Sequence, residues 1–476
     1  MISKNTIQKV FETAQVEEVI GDFVQLKKSG SNFKGLSPFS EERTPSFMVS
    51  PAKQIWKDFS SGKGGTVITF LMEHEQFTYP EAIKYIANKY NIEVEETQKT
   101  AEQISEDNEK ESLFLISDYA KNHFKKNLFL DEGKTIALSY LKERGFNDTV
   151  IEKFEIGYSV KKTDDFSSDA IKAGYKTNYL EKTGLTIVKE SNNIDRFRGR
   201  IIFPIRSMSG RVLGFGGRIL GASKNIAKYI NSPESLIYQK SKVLYGIFES
   251  KQSIVKEDNC YLVEGYTDVI KMYQCGITNV VASSGTALTE SQIRLINRLT
   301  KNITVVFDGD EAGSRATLRG IDLILEQGMN IKICNLPKNE DPDSFVTEKS
   351  LDEVKLYFEN NSKDFIVYKA SLLLNQSEND PVKKAGVIRD MVESIAKISD
   401  QIKREIYIKE CSSIMDISEQ VLYSTLAQIR KQNFNSQKKK PKKIFEPISL
   451  IKGDKTKRQV NALYELEKKI IEILLL

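Results

Sequence analysis

Three short apolar runs, residues 260–263, 303–307 and 331–336, constrain this chain more than any other feature. They are rich in β-branched residues and bounded by Gly or Pro, a pattern that favours buried parallel strands over helices. Helical periodicity accompanies them at residues 269–273, 290–299 and 317–326, so the predicted order is β, α, β, α, β. In such a sheet each connection returns the next strand parallel to the last, and all strand carboxyl ends lie along one edge, where ligands bind.

Acidic residues follow every run: Glu264 the first, Asp308 and Asp310 the second, Asp341 and Asp343 the third. A single carboxylate after a strand is ordinary, because Asp and Glu cap helices and form turns. Three groups in register are much less so. Five carboxylates on one edge repel one another unless a cation or protons neutralise them, and all-oxygen donors select Mg²⁺ or Mn²⁺. The pattern predicts divalent-metal phosphate chemistry.

The residues at these positions, Glu-Gly-Tyr-Thr-Asp (264–268), Asp-Gly-Asp-Glu-Ala-Gly (308–313) and Glu-Asp-Pro-Asp (340–343), resemble the acidic motifs of the Toprim fold. DnaG-type primases, type IA and type II topoisomerases and some nucleases share that fold. The likeness extends upstream. Residues 196–205 (Arg-Phe-Arg-Gly-Arg-Ile-Ile-Phe-Pro-Ile), 214–218, 228–234 and Lys240, with Glu-Arg-Gly-Phe at 143–146, are similar to the basic half of the primase catalytic core. The resemblance implies that Arg144, Arg198, Arg200, Arg218, Lys228, Asn231 and Lys240 face the acidic site and bind template or nucleotide. Charge alone points the same way. Residues 196–242 hold ten basic side chains against one acid, a formal +9 that suits phosphates and weakens with salt, although such a run is more often a solvated face.

Length and composition set the remaining bounds. A chain of 476 residues has room for roughly three domains, each able to bury a core. No apolar stretch approaches a membrane span, and the first helix-like segment, residues 7–20, is interrupted by Glu12, Glu17 and Glu18, so neither a secretory signal nor a membrane partner is expected and the cytoplasm is. Cys260, Cys275, Cys334 and Cys411 lack metal-ligand spacing and predict core thiols; His74 and His123 are isolated.

Charge also marks boundaries. Residues 95–111 carry seven acids against two lysines and predict a solvated linker with a helical end, whereas residues 430–445 form a basic linker. Between them, the expected parts are a basic half of the polymerase core (112–250), a Toprim domain (251–350) and a helical subdomain (351–429), the last signalled by Val387, Ile388, Met391, Ile395 and Ile398 at helical spacing. The glycine run 214–217 lacks a dinucleotide-binding spacing and predicts a bulge or hairpin. The fold class expected is multidomain α/β: a ribbon-like β module with helices, a central α/β core with a Toprim sheet, and a helical C-terminal part.

Residues 1–94 predict a helix followed by strands near 23–27, 47–50 and 54–59, with a Thr78–Glu81 capping box opening a helix over 82–90. This segment resembles the zinc-binding module that opens DnaG-type primases. Where that family carries Cys-x₂-His and Cys-x₂-Cys, this chain has Ser37, Ser40, Asp58 and Ser61. Zinc prefers thiolate and imidazole, so the expectation is a zinc-free, template-binding ribbon held by Phe33, Phe39, Phe47, Trp56 and Phe59.

The resemblance implies templated RNA synthesis on single-stranded DNA from NTPs by a monomeric core. Mg²⁺ or Mn²⁺ would be held by Glu264, Asp308, Asp310, Asp341 and Asp343, with Glu264, Asp308 and Asp310 catalytic and Asp268 supporting them one helical turn on. A strand-cleaving enzyme or a non-catalytic DNA- or helicase-binding protein are the alternative classes. Residues 446–476 look like the start of the family's contact with the replicative DnaB-type helicase, so a truncated chain or a reduced contact is expected.

Overall fold

Alternation of buried and exposed side chains along Phe47–Ser50 and Ile55–Asp58 fixes which face of the first sheet meets the core. The structure is a computed structural model and describes residues 2–95, 101–189, 192–221, 226–285, 287–309, 314–377 and 380–439. Five strands form the N-terminal meander in sequence order: β1 (Lys27–Ser29), β2 (Asn32–Gly35), β3 (Phe47–Ser50), β4 (Ile55–Asp58) and β5 (Gly64–Gly65). The helices Lys4–Thr13, Val16–Gly21, Val67–His74 and Tyr79–Lys89 accompany it, and their apolar faces join Phe47 and Trp56 in one core. Glu81 accepts the Thr78 N–H at 2.7 Å, so the capping box forms as predicted, although the helix begins at Tyr79.

The aromatic expectations hold in part. Phe47 and Trp56 are fully buried and Phe39 stacks on Trp56 at 5.3 Å, but Phe59 is 68% exposed and packs on nothing central. Phe70 and Phe23 take its place in the core. No strand runs over 23–27; the first begins at Lys27, after the turn that ends the second helix.

Downstream, the helix Ala101–Leu128 takes up the second part of the acidic segment. Its Glu109 pairs with Lys182 and its Glu111 with Arg211, so the acids are matched to cations of the following domain. That domain is built on an antiparallel sheet of β6 (Gly157–Ser159), β9 (Arg200–Arg206), β10 (Val212–Ile219) and β11 (Tyr229–Asn231), in the order β11-β10-β9-β6. A hairpin of β7 (Thr186–Lys189) and β8 (Asn192–Asp195) flanks it. The glycine run 214–217 lies inside β10 rather than in a turn, with a register irregularity between Val212 and Gly214.

The predicted parallel sheet follows: β12 (Cys260–Val263), β13 (Val280–Ala282), β14 (Asn302–Phe307), β15 (Asn330–Asn335) and β16 (Ser362–Asp364), ordered β13-β12-β14-β15-β16. The first four are parallel and β16 is an antiparallel edge. Two strands escaped the sequence pattern: β13, only three residues long, and β16, whose Ser-Lys-Asp is polar. The two sheets share one hydrophobic cluster that includes Phe203 and Ile205 from one and Val263, Tyr266 and Val280 from the other.

Helices Phe365–Ser377, Pro381–Lys397, Gln401–Met415 and Glu419–Lys439 complete the described chain. The second buries Val387, Ile388, Met391 and Ile395, the stripe its periodicity predicts. Residues 1–426 form one compact unit; in the second unit, from Ala427 on, the described residues continue the last helix, and residues 446–476 lie outside the described set. Cys260, Cys334 and Cys411 are buried free thiols. No described helix is long and apolar enough to cross a membrane.

Candidate active site

Pairing of β12 with β14, and of β14 with β15, brings the ends of three parallel strands side by side. Glu264 directly follows β12 and Asp308 directly follows β14. The third pair arrives on a short loop after β15, where Asp341 caps the helix Pro342–Thr347 by accepting the Ser344 N–H at 2.7 Å. The loops are fastened to one another. Gly309 N–H donates to the Glu340 carbonyl at 3.0 Å, and Leu336 N–H to the Phe307 carbonyl at 3.1 Å. A Cβ on Gly309 would come within 2.0 Å of the Pro337 carbonyl oxygen, so only glycine permits this approach.

A cavity of about 400 Å³ opens at this edge. Glu264, Asp268, Asp308, Asp341 and Asp343 line one side of it; Arg144, Arg218, Lys228, Asn231 and Lys240 line it from the other domain. Asp310 lies outside the described residues. The remaining two cations named from sequence sit elsewhere. Arg198 is exposed, with its guanidinium 3.5 Å from Thr163 Oγ1, and Arg200 is buried, donating to the carbonyls of Gly217, Ala227 and Lys228. Arg200 thus holds the approach to β11. Other members of the basic run are also committed, Arg206 to Glu155 and Glu249, and Arg211 to Glu111 and the Phe114 ring. Charge counting could not separate these from the cations that reach the cavity.

Within the cavity the charges are arranged, not merely gathered. Asp343 is buried and paired with Arg144. The Arg218 guanidinium lies over the rings of Tyr140 and Tyr229, at 5.3 and 5.5 Å, which limits its freedom and orients its edge. Asp268 is buried; loss of water first, and then the charges of Asp308, Asp341 and Asp343, together push its carboxyl up to about 7 against the opposing Gly265 N–H bond of 2.8 Å. Lys271, also buried, is pushed down by burial while Asp343 opposes that shift. Sequence reasoning did not single out Lys271, Tyr140 or Ser284; Tyr229, inside the 228–234 motif, and Tyr266, inside the 264–268 motif, carried a local signal.

The donors suit a hard divalent ion. Among the described residues no three acidic side chains form a closed ligand set. Mg²⁺ does not need one, because it keeps several waters and is held by one or two carboxylates together with substrate phosphates. Glu264 and Asp308, on adjacent strand ends, meet that requirement with oxygen ligands only.

An acidic parallel-sheet edge facing a basic antiparallel sheet across a phosphate-sized cavity defines a Toprim-type nucleotidyl-transfer core. Residues 261–346 match the Toprim-like family, and residues 123–251 match the N-terminal domain of the DNA primase catalytic core. The chain is 36% identical to a DNA primase of Halalkalibacterium halodurans over 445 residues, covering 92% of this chain and 74% of that protein. It is 37% identical to one of Clostridium acetobutylicum, covering 92% and 72%. Among solved structures, the Aquifex aeolicus primase zinc-binding and RNA polymerase domains align over 88% of this chain and 98% of that one, with TM-score 0.59 and 30% identity. A DnaG primase catalytic domain bound to single-stranded DNA aligns over 66% and 99%, with TM-score 0.60 and 29% identity. The chain belongs to the bacterial DnaG-type DNA primases, the DNA-directed RNA polymerases that make RNA primers. The primase-specific match at 123–251 disfavours the strand-cleaving alternative.

The comparisons correct one expectation. Residues 2–102 match the CHC2 zinc finger family, which points to zinc binding where the sequence reading predicted a zinc-free ribbon. That reading weighed four side chains, whereas the match runs through the whole module. At those positions Asp58 is buried and accepts from the hydroxyls of Ser37 at 2.8 Å, Ser60 and Ser61, while Ser40 bonds Ser37 at 3.1 Å. Burial raises the Asp58 carboxyl, but these hydroxyl bonds outweigh it and hold the group below its usual range. One carboxylate and three hydroxyls do not fit the thiolate and imidazole set of a structural zinc site, and no catalytic step below passes through zinc.

Proposed function

We propose that this cavity is the polymerisation centre. The observation that carries the assignment is that acids from three parallel-strand ends and cations from the antiparallel sheet line one space. Lys228, Lys240 and Arg218 hold triphosphate or template phosphates, and Arg144 is kept in place by Asp343. Glu264, Asp308, Asp310, Asp341 and Asp343 are the residues that would hold divalent cations. When bound, such ions supply Lewis acidity to the transferring phosphoryl group and charge relief to pyrophosphate. The primer 3′-oxygen attacks the α-phosphorus, a new P–O bond forms as the α–β bond breaks, and Glu264 accepts the hydroxyl proton. Asp268 braces the first turn of the helix Tyr266–Cys275 beneath Glu264.

The family match at residues 379–420 to a DnaB-helicase binding domain of primase supports a helicase partner, docked through the helical part. Single-stranded DNA is the template, a reading supported by a related DnaG primase catalytic domain that is bound to single-stranded DNA. The working compartment is the cytoplasm. The test is incubation of the full chain with single-stranded DNA, NTPs and Mg²⁺: short RNA products that vanish with EDTA are expected. No RNA, or cleavage of labelled DNA without NTPs, refutes the assignment.

A further inference from the structure

Pairing across the antiparallel sheet places Phe203 on β9, Gly216 on β10 and Asn231 on β11 in one row, each the direct partner of the next. The side chain of Tyr266, from the acidic half, lies along that row. The ring of Tyr266 is parallel to Phe203, with centroids 5.3 Å apart and 3° between planes, and Tyr245 meets it edge-on at 4.7 Å. It crosses β10 over Gly216, where a Cβ would lie 2.5 Å from the ring carbon that bears the hydroxyl. Beyond Gly216 the hydroxyl reaches the Asn231 amide at 2.6 Å. The amide orientation that satisfies both of its atoms donates from nitrogen to that hydroxyl and accepts Lys240 Nζ at 3.1 Å on oxygen.

We infer that Tyr266 is a positioning residue for nucleotide binding: inserted through the gap at Gly216, it fixes Asn231, and through Asn231 the ammonium of Lys240, over the acidic edge. This rests on the assignment of the cavity above. Tyr266 is two residues from Glu264, so one short segment sets an acid and, across the domain boundary, a cation. It also explains the glycine in β10, which leaves room for the ring where a larger residue would block it. The hydroxyl supports the network and the stacked ring supplies its rigidity.

The test is equilibrium binding of ATP with Mg²⁺ to the full chain, alongside thermal melting. Tyr266→Phe keeps the ring and removes only the hydroxyl; it is expected to raise the ATP Kd about five- to tenfold, the usual scale of one hydrogen bond between neutral groups. In a Lys240→Ala background the same change should add less than about twofold, because both act through one chain of contacts. Gly216→Ala, which displaces the ring with its hydroxyl intact, should weaken ATP in the same direction. A merely structural tyrosine would lower the melting temperature and leave Kd at the wild-type value, and that result overturns the inference. So does a full effect of Tyr266→Phe in the Lys240→Ala chain. Failure of primer synthesis with ATP binding intact would instead sink the polymerase assignment.

Discussion

In the proposed polymerisation centre, Asp308 directly follows the central strand of the acidic edge and lines the cavity between Glu264 and the third acidic loop. Asp308→Ala is expected to lower Mg²⁺-dependent primer synthesis by at least about 100-fold, as when a charge-stabilising group is deleted from an active site. Single-strand binding, assigned in the proposal to cations on the other wall, should stay near wild type. Primer gels and a filter-binding titration check both halves of that statement. Lys228 belongs to the opposite wall. Lys228→Ala should weaken DNA binding at every sequence and reduce the salt slope by about 0.7, the contribution of one phosphate contact on single strands. A slope unchanged from wild type would remove Lys228 from the nucleic-acid path.

Among elements, the second and third acidic loops act as a unit because Gly309 and Pro337 touch backbone to backbone. Gly309→Ala forces them apart. The expected outcome is a loss of primer synthesis of about tenfold or more with a melting temperature within a few degrees of wild type, since the displacement is confined to loops. The strands that carry these loops were legible in sequence: β14, with Ile303, Thr304, Val305 and Val306, and β15, with Ile331 and Ile333, are short runs followed by acids, and their parallel order follows from the helix between them. The acids were legible for the same reason. The cations were legible only as a group. Arg200 and Arg218 look alike in sequence, yet one is turned into the backbone of its own sheet and the other toward the cavity, and that choice depends on strand pairing between residues far apart. Tyr266 stood inside a recognised motif, but its role needed the empty space at Gly216, which belongs to a different domain.

At the scale of the whole molecule, the N-terminal ribbon is seated on the core by a buried ammonium. Lys251 Nζ donates to the carbonyls of Glu75 at 3.0 Å and Met208 at 3.2 Å and to the Glu75 carboxylate at 3.2 Å. Burial raises the Glu75 carboxyl, but the His74 hydrogen bond and the Lys251 charge outweigh it and hold the group at about 2, against an ordinary 4.5. Between those values the folded chain binds fewer protons than the unfolded one. The contribution is therefore complete above about pH 4.5 and lost as pH falls toward 2. Glu75→Gln should cost about 2–4 kcal/mol at neutral pH and flatten that acid limb, measured by denaturant melts across pH; an unaltered limb would show the seat lies elsewhere. A last consequence concerns how the protein is made. Arg144 and Asp343, paired in the cavity, are 199 residues apart in the chain. At ribosomal speeds that gap is roughly 10–40 s of synthesis. During that interval the ribbon and the basic sheet can already have emerged, while the third acidic loop does not yet exist. The two sheets share one hydrophobic cluster, so the cavity is completed late in translation, when the third acidic loop has joined the other two.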